Sequence, residues 1–160
     1  MRKSFKPLIF FCTLFLTFYA QTAVISLQES VDEFTDEASY TLSFVDDSES
    51  SALGVRCNNN QYVFLIMPNG MFESDNYVDV RFRFDKNEPF SKSMSISSYK
   101  SAITRNKSTI SELLSKIKSS NSFIVKVGLE NVQRFSGITS SDVKKIDRFI
   151  ELSSKVSTCT

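Results

Sequence analysis

The sequence predicts a mainly β fold, either a single antiparallel β-sandwich or one strongly bent sheet, with two short helices at about residues 109–118 and 141–153. Three observations predict it. Short segments alternate apolar and polar residues, which is the pattern of half-buried strands. Only two segments space their apolar residues as a surface helix does. The chain has 160 residues, 41% of them apolar, and no linker-like segment, which indicates one core.

The first strands are predicted between residues 40 and 67. Residues 40–44 and 53–57 alternate apolar and polar side chains, and a polar turn separates them. Residues 62–67 are apolar throughout, which is typical of a central strand with both faces buried.

The clearest alternation runs over residues 77–85. Phe82 and Phe84 fall on one face, and Arg81 and Arg83 fall on the other, as in a half-buried antiparallel strand. Because the two phenylalanines and the two arginines are on opposite faces, they cannot form one stacking platform for single-stranded nucleic acid.

A further strand at residues 94–98 precedes the first predicted helix. That helix is expected to begin at Ser108 or Thr109, with Glu112 completing a capping box after Thr109. Its buried side is expected to consist of Ile110, Leu113, Leu114 and Ile117.

Two more strands, at residues 123–129 and 132–135, precede the second predicted helix. Gly137 ends their hairpin, and Ser141 is expected to cap the helix, with Asp142 in its first turn. The apolar stripe of this helix is expected to consist of Val143, Ile146, Phe149 and Ile150.

Residues 1–20 have the order of a secretory signal peptide. Three basic residues within the first six precede an uncharged, apolar run over residues 8–19. That run is shorter than the roughly 20 apolar residues that a membrane-spanning helix needs. We therefore expect cleavage after Ala20 or Ala23 and a periplasmic or secreted product, and an uncleaved anchor is the alternative.

The remaining chain divides into an acidic N-terminal segment, residues 21–38, and a single β-rich domain, residues 39–160. The acidic segment has isolated apolar positions, which favour either a short helix or an arm that packs late.

Two cysteines, Cys57 and Cys159, remain after removal of the signal peptide, which carries Cys12. In an oxidising compartment an even number of cysteines predicts a disulfide, and only one pairing is possible here. Two free thiols are the weaker alternative, because neither has a His or a C-x-x-C neighbour that would lower its pKa.

The charge of the predicted mature chain is unevenly distributed. Its net charge is −2, from sixteen basic and eighteen acidic residues. Eight acidic and no basic residues lie between Glu29 and Glu49, whereas ten basic and three acidic residues lie between Arg81 and Lys126. These runs indicate solvated surfaces. The alternative is a mildly basic face that docks on an acidic partner or an anionic envelope surface.

The composition argues against catalysis and against bound cofactors. The chain has no histidine, which excludes Ser-His-Asp and Cys-His mechanisms and zinc sites with a His ligand. The acidic loop that contains Asp46, Asp47 and Glu49 lacks the ligand spacing of an EF-hand, so a solvated loop is expected there. We therefore predict no enzyme activity, no metal, no cofactor and no nucleic-acid partner.

Distinctive elements within residues 39–159 resemble the VasI/TagO-like accessory proteins associated with type VI secretion. The residues that carry this resemblance are Arg56-Cys57, Arg83-Phe84-Asp85 and the closing Cys159. The resemblance implies a periplasmic, non-enzymatic accessory or binding protein.

Two functional hypotheses follow. The first is an exported accessory module that binds an envelope protein through a face or an edge of its sheet, with no stable membrane insertion once the signal peptide is removed. The second is an exported inhibitor, or an exclusion factor of the phage or plasmid type, that acts on an envelope protein.

Overall fold

The computed structural model describes residues 23–70, 76–98, 101–128 and 131–160. The predicted signal peptide, residues 1–20, lies outside the described residues, and so does Cys12.

Within these ranges the chain forms nine strands and two helices. The strands are β1 (Val24–Val31), β2 (Ala38–Val45), β3 (Ala52–Asn58), β4 (Gln61–Met67), β5 (Tyr77–Phe84), β6 (Phe90–Ser98), β7 (Ser101–Thr104), β8 (Ser122–Val127) and β9 (Asn131–Ser136). The helices are α1 (Lys107–Lys118) and α2 (Ser140–Ser153).

All of these strands belong to one antiparallel sheet, in the order β1-β2-β3-β4-β7-β6-β5-β8-β9. This confirms the predicted mainly β class with two helices, and the architecture present is the bent single sheet. β7 was not predicted from the sequence. It pairs with β4 on one side and with β6 on the other, so β7, β6 and β5 lie between the first four strands and the last two.

Contacts between distant strands show how strongly the sheet bends. Phe44 of β2 and Phe123 of β8 meet edge to face with ring centroids 6.2 Å apart, although five strands separate them in the sheet. At the sheet edges, the backbone N–H of Ala23 donates to the carbonyl oxygen of Ser136 at 2.9 Å. The sheet therefore curls until its edges touch where β1 begins and β9 ends, but it does not close.

The inner face of this curl is the hydrophobic core. The alternation predicted for β5 is confirmed, since Phe82 and Phe84 are buried while Arg81 and Arg83 are exposed. The aromatic rings that fill the core are those of Phe44, Phe64, Phe82, Phe84, Phe123, Phe135 and Phe149. Ring stacking adds to the burial, and the closest described pair, Phe123 and Phe135, is 4.5 Å apart.

Helix α1 begins two residues earlier than expected. Its N-cap is Asn106, whose side chain accepts from the backbone N–H of Thr109. The predicted cap at Ser108 or Thr109 is wrong because the preceding asparagine is itself a strong cap. Glu112 forms an ion pair with Lys92 of β6 at 2.9 Å instead of completing a capping box. The predicted apolar stripe is confirmed in full, with Ile110, Leu113, Leu114 and Ile117 buried.

Helix α2 is capped by Thr139 rather than Ser141. Thr139 and Asp142 form a reciprocal capping box, and this places Asp142 in the first turn as predicted. The buried apolar residues that α2 sends into the core are Ile146, Phe149 and Leu152. The predicted stripe is therefore wrong at its ends, because Val143 is only partly buried and Ile150 is exposed.

The acidic N-terminal segment also differs from expectation. Residues 24–31 form an edge strand, β1, and not a helix. β1 pairs residue by residue with β2 over its whole length, and α2 packs beneath both strands. The segment is therefore part of the sheet.

Candidate functional site at the outer edge of the sheet

The backbone N–H and C=O groups of successive residues in β1 point alternately toward β2 and away from it. The N–H of Ala23 donates to Ser136, and the carbonyl oxygen of Ile25 accepts from Lys145 Nζ at 2.7 Å, so both residues point away from β2. Along a strand, every second residue directs its N–H and C=O to the same side. The backbone groups of Leu27, Glu29 and Val31 therefore also point away from β2, and we call this row the outward edge of β1.

The two halves of β1 are covered differently. Contacts with Ser136 and Lys145 occupy its first half. Within the described residues, no strand pairs with β1 on the side opposite β2. The outward edge thus presents donors and acceptors over a length of five residues, which is long enough to pair with an extended segment of another chain.

The hairpin tip, residues 32–37, follows this edge and is held in a fixed shape. One carboxylate oxygen of Asp32 accepts the backbone N–H groups of Phe34 at 2.8 Å and Thr35 at 3.0 Å. These two hydrogen bonds lower the pKa of Asp32 below its ordinary value, which keeps the group charged. Asp36 has a φ of 55°, in the left-handed region that lets the chain turn back into β2.

Two apolar side chains stand exposed at this end of the molecule. Phe34 is 98% exposed at the hairpin tip, and Val31 is 62% exposed at the end of β1. Aromatic side chains are enriched among the residues that anchor protein interfaces. A fully exposed phenylalanine on a turn with internal hydrogen bonds has the position of such an anchor.

A groove of about 270 Å³ lies at the hairpin end of β1 and β2, on the side of β3. The residues that line it are Ser30, Val31, Asp32, Glu37, Ala38, Ser39, Asn58 and Asn60. It runs between the hairpin tip and the β3–β4 turn. Glu33 and Asp36 of the tip add two more acidic side chains to those in the groove. The groove is therefore polar and acidic, and it suits a basic segment.

The two cysteines predicted to pair lie close to this groove. Their sulfur atoms are 2.07 Å apart, which is disulfide distance, and their Cα atoms are 6.1 Å apart. The C-terminal tail is further held by Thr158, whose hydroxyl donates to the carbonyl oxygen of Asn59 at 2.6 Å. The contacts of the tail thus fix the turn that forms one wall of the groove.

The acidic β2–β3 turn is solvated only in part: Ser48, Glu49 and Ser50 are exposed, as expected, but Asp46 is not. Asp46 is buried, and one of its carboxylate oxygens accepts the backbone N–H groups of Ser50 and Ser51, both at 3.0 Å. Burial is the largest influence on the pKa of Asp46 and raises it, but the hydrogen bonds together outweigh it and the pKa is lowered. This carboxylate holds its own turn in place.

No cluster of three or more metal-binding side chains occurs among the residues that the structure describes. In the same part of the chain, neither helix is both long and apolar enough to cross a bilayer.

Comparison with models of protein families, with curated proteins and with solved structures finds no match to this chain.

Proposed function

We propose that the chain is an exported, non-enzymatic module that binds a partner protein by pairing an extended segment of that partner with the outward edge of β1. The observation that carries the proposal is the row of backbone groups at Leu27, Glu29 and Val31, which no described strand pairs. Strand addition of this kind takes its affinity from backbone hydrogen bonds and its specificity from neighbouring side chains.

The neighbouring side chains define the chemistry of the partner. The hairpin tip and the groove carry acidic residues, of which Asp32 and Glu37 line the groove itself. A partner segment with lysine or arginine is complementary to them. Phe34 adds an apolar contact at the end of the paired region. The segment recognised is therefore extended and basic, with an apolar residue placed to reach the tip.

Export and a role in the bacterial envelope are part of this proposal. They are supported by the order of residues 1–20, and the sulfur–sulfur distance of Cys57 and Cys159 is compatible with an oxidising compartment. The resemblance of residues 39–159 to VasI/TagO-like proteins supports an accessory role in type VI secretion. The absence of histidine from the sequence supports a non-enzymatic role.

Two substitutions at one position test the pairing. Glu29→Pro removes an outward N–H and leaves the ladder with β2 intact, because the backbone of residue 29 points away from β2. Glu29→Ala keeps that N–H and is the matched control, since both variants lose the exposed ion pair with Arg148. Thermal unfolding of the two proteins verifies that both remain folded.

Binding is measured by photo-crosslinking in intact cells of the natural host, with a photoreactive phenylalanine analogue in place of Phe34. We expect one discrete adduct, reduced at least about fivefold by Glu29→Pro, since an inter-chain hydrogen bond and the fit of the strand are lost. Glu29→Ala should leave the yield unchanged.

A second labelled position provides the specificity control. The same analogue at Ile150, which is exposed on α2, should give no such adduct. An adduct that forms equally from both positions, or that survives Glu29→Pro, would show that β1 does not pair with the partner.

A further inference from the structure

A second surface, on the outer face of β5, β8 and β9, is rich in positive charge. We call it the cationic face and define it by Arg81 and Arg83 of β5, Lys126 of β8 and Arg134 of β9. These residues project from the outer face, since their neighbours in sequence on each strand point into the core. None of the four has an ion pair with an acidic residue in the described parts of the chain.

The strand register brings the four charges together. Arg81 pairs directly with Lys126, and Arg83 pairs with Ile124, which in turn pairs with Arg134. Directly paired residues on one face have Cβ atoms about 5 Å apart, and adjacent strands are about 4.8 Å apart. The four positive groups thus lie in two adjacent rows across three strands.

The acidic groups nearby do not neutralise this arrangement. Asp79 lies on the same face, two residues before Arg81 along β5. The carboxylate of Asp85 is turned toward the backbone, where one oxygen accepts the N–H groups of Asn121 at 3.1 Å and Ser122 at 3.0 Å. The carboxylate of Asp47 lies near Arg134, where it accepts from the backbone N–H and the hydroxyl of Ser136. Among the described residues, the four basic groups still outnumber the acidic groups near this face.

We propose that the cationic face docks on an anionic membrane surface through lipid phosphate groups. Three of the four residues are arginines, whose planar guanidinium groups match phosphate in a bidentate geometry. The array is a sheet face, so several charges can meet a flat surface at once. Val132, 45% exposed, and Ile124, half-buried, add apolar area beside them.

A membrane surface fits this face better than a strand from another protein. Pairing with a strand would need the outer edge of β9, where Asp47 already occupies the outward groups of Arg134 and Ser136. The hairpin tip lies at the far end of β1 from the Ala23–Ser136 contact, about 25 Å along an eight-residue strand. Docking here would leave the outward edge of β1 accessible.

The test uses oxidised protein expressed from the full-length chain. The amount of protein that co-sediments with vesicles of phosphatidylcholine and phosphatidylglycerol is compared with the amount that co-sediments with vesicles of phosphatidylcholine alone. We expect binding to the anionic vesicles only, weakened by added salt. The combined variant Arg81→Gln, Arg83→Gln and Arg134→Gln should bind on the order of 100-fold more weakly, since each basic residue near an anionic surface contributes about fivefold.

The control variant, Arg56→Gln with Arg105→Gln and Lys144→Gln, loses the same charge from exposed positions outside the cationic face. It should bind as the unmodified protein does. Equal losses in both variants would overturn the proposal, because net charge alone would then explain binding. Absence of binding to anionic vesicles would also overturn it. A third contrary result would be a protein that does not bind vesicles but forms a salt-sensitive dimer, which only the first variant abolishes. The cationic face would then be a protein interface.

Discussion

Asp47 holds Ser136 with both of its carboxylate oxygens. One oxygen accepts the backbone N–H of Ser136 at 3.0 Å, and the other accepts its hydroxyl at 2.7 Å, across 89 positions of sequence. The backbone N–H of Asp47 also donates to the carbonyl oxygen of Arg134 at 2.8 Å. The β2–β3 turn therefore covers the end of β9, which protects an edge strand from pairing with other chains.

Asp47→Ala should destabilise the protein and uncover that edge. We expect a loss of about 1.5–3 kcal/mol in the free energy of unfolding, because two hydrogen bonds to a charged group disappear. Urea unfolding measures the loss, and light scattering at increasing concentration measures association. Asp47→Asn keeps one acceptor and should lose less. An Ala variant with an unchanged unfolding midpoint would contradict the role assigned to this turn.

Gln133→Met should stabilise the protein. Gln133 is 1% exposed on the inner side of β9, and neither polar atom of its side chain has a hydrogen-bond partner among the described residues. Burying an unpaired amide costs about 1–3 kcal/mol, and methionine has a similar unbranched shape without polar atoms. Chemical unfolding should show a gain of that order. Gln133→Ala, which leaves a cavity, should be less stable than the Met variant. A Met variant less stable than the unmodified protein would show that the amide is satisfied in solution.

Removal of the disulfide should lower stability strongly. The two cysteines are 102 positions apart, and a cross-link that closes a loop of about 100 residues contributes up to about 4.7 kcal/mol through the entropy of the unfolded chain. We expect a double variant, Cys57→Ala with Cys159→Ala, to unfold at lower urea concentration. Hydrogen exchange should become faster in residues 154–160. Unmodified protein treated with reductant is the matched comparison, and it should behave like the double variant.

The stability of α2 should depend on pH through Asp142. One oxygen of this carboxylate accepts the backbone N–H of Thr139 at 3.1 Å and its hydroxyl at 2.6 Å, and the other accepts from Lys145 at 2.9 Å. Burial is the largest influence and raises the pKa of Asp142, but these hydrogen bonds together outweigh it, so the pKa is lower than the ordinary 3.8.

Because the folded protein favours the charged form, the stabilisation from Asp142 is fully present above the ordinary pKa. It is lost as the pH falls through the lowered value. Asp142→Asn should therefore cost about 1 kcal/mol near neutral pH and flatten the decline in stability below about pH 5. Asp147→Asn, an exposed position on the same helix, is the control and should retain the slope. An unchanged acid profile in Asp142→Asn would contradict the prediction.

If the chain is exported as proposed, we expect its mature N-terminus to be Gln21. Ala23 is 7% exposed, and its N–H bonds to Ser136, so cleavage after Ala23 would remove a residue that belongs to the fold. Cleavage after Ala20 preserves it. Intact mass measurement of the periplasmic fraction distinguishes the two products. Recovery of soluble protein that retains Met1 would contradict both export and processing.

Local patterns in the sequence predict most of the sheet. The alternation over residues 77–85 predicts β5 because its outer residues are polar and its inner residues are large and apolar. Helical spacing predicts the buried side of α1 in full and the middle of the buried side of α2, Ile146 and Phe149, whereas the predicted caps of both helices are wrong. Asn106 and Thr139 each stand within two residues of another good cap, so composition does not decide between them.

The edge strand and the long-range contacts are harder to predict. In β1, Ile25 and Leu27 alternate with polar residues, which is a strand signal, but the acidic residues that follow obscure it. The contact of Asp47 with Ser136 depends on how far the whole sheet curls. No local pattern encodes that curvature, so an aspartate in a polar turn was expected to be solvated.

The number of strands determines how this sheet can end. Each neighbouring pair is antiparallel, so the first and the last of the nine strands in the described part of the chain run in the same direction. An alternating sheet can join its two margins in the usual antiparallel way only when the strand count is even. The parity of this fold therefore prevents β1 and β9 from pairing in that way, and the hydrogen bond from Ala23 to Ser136 joins the two margins at one end instead.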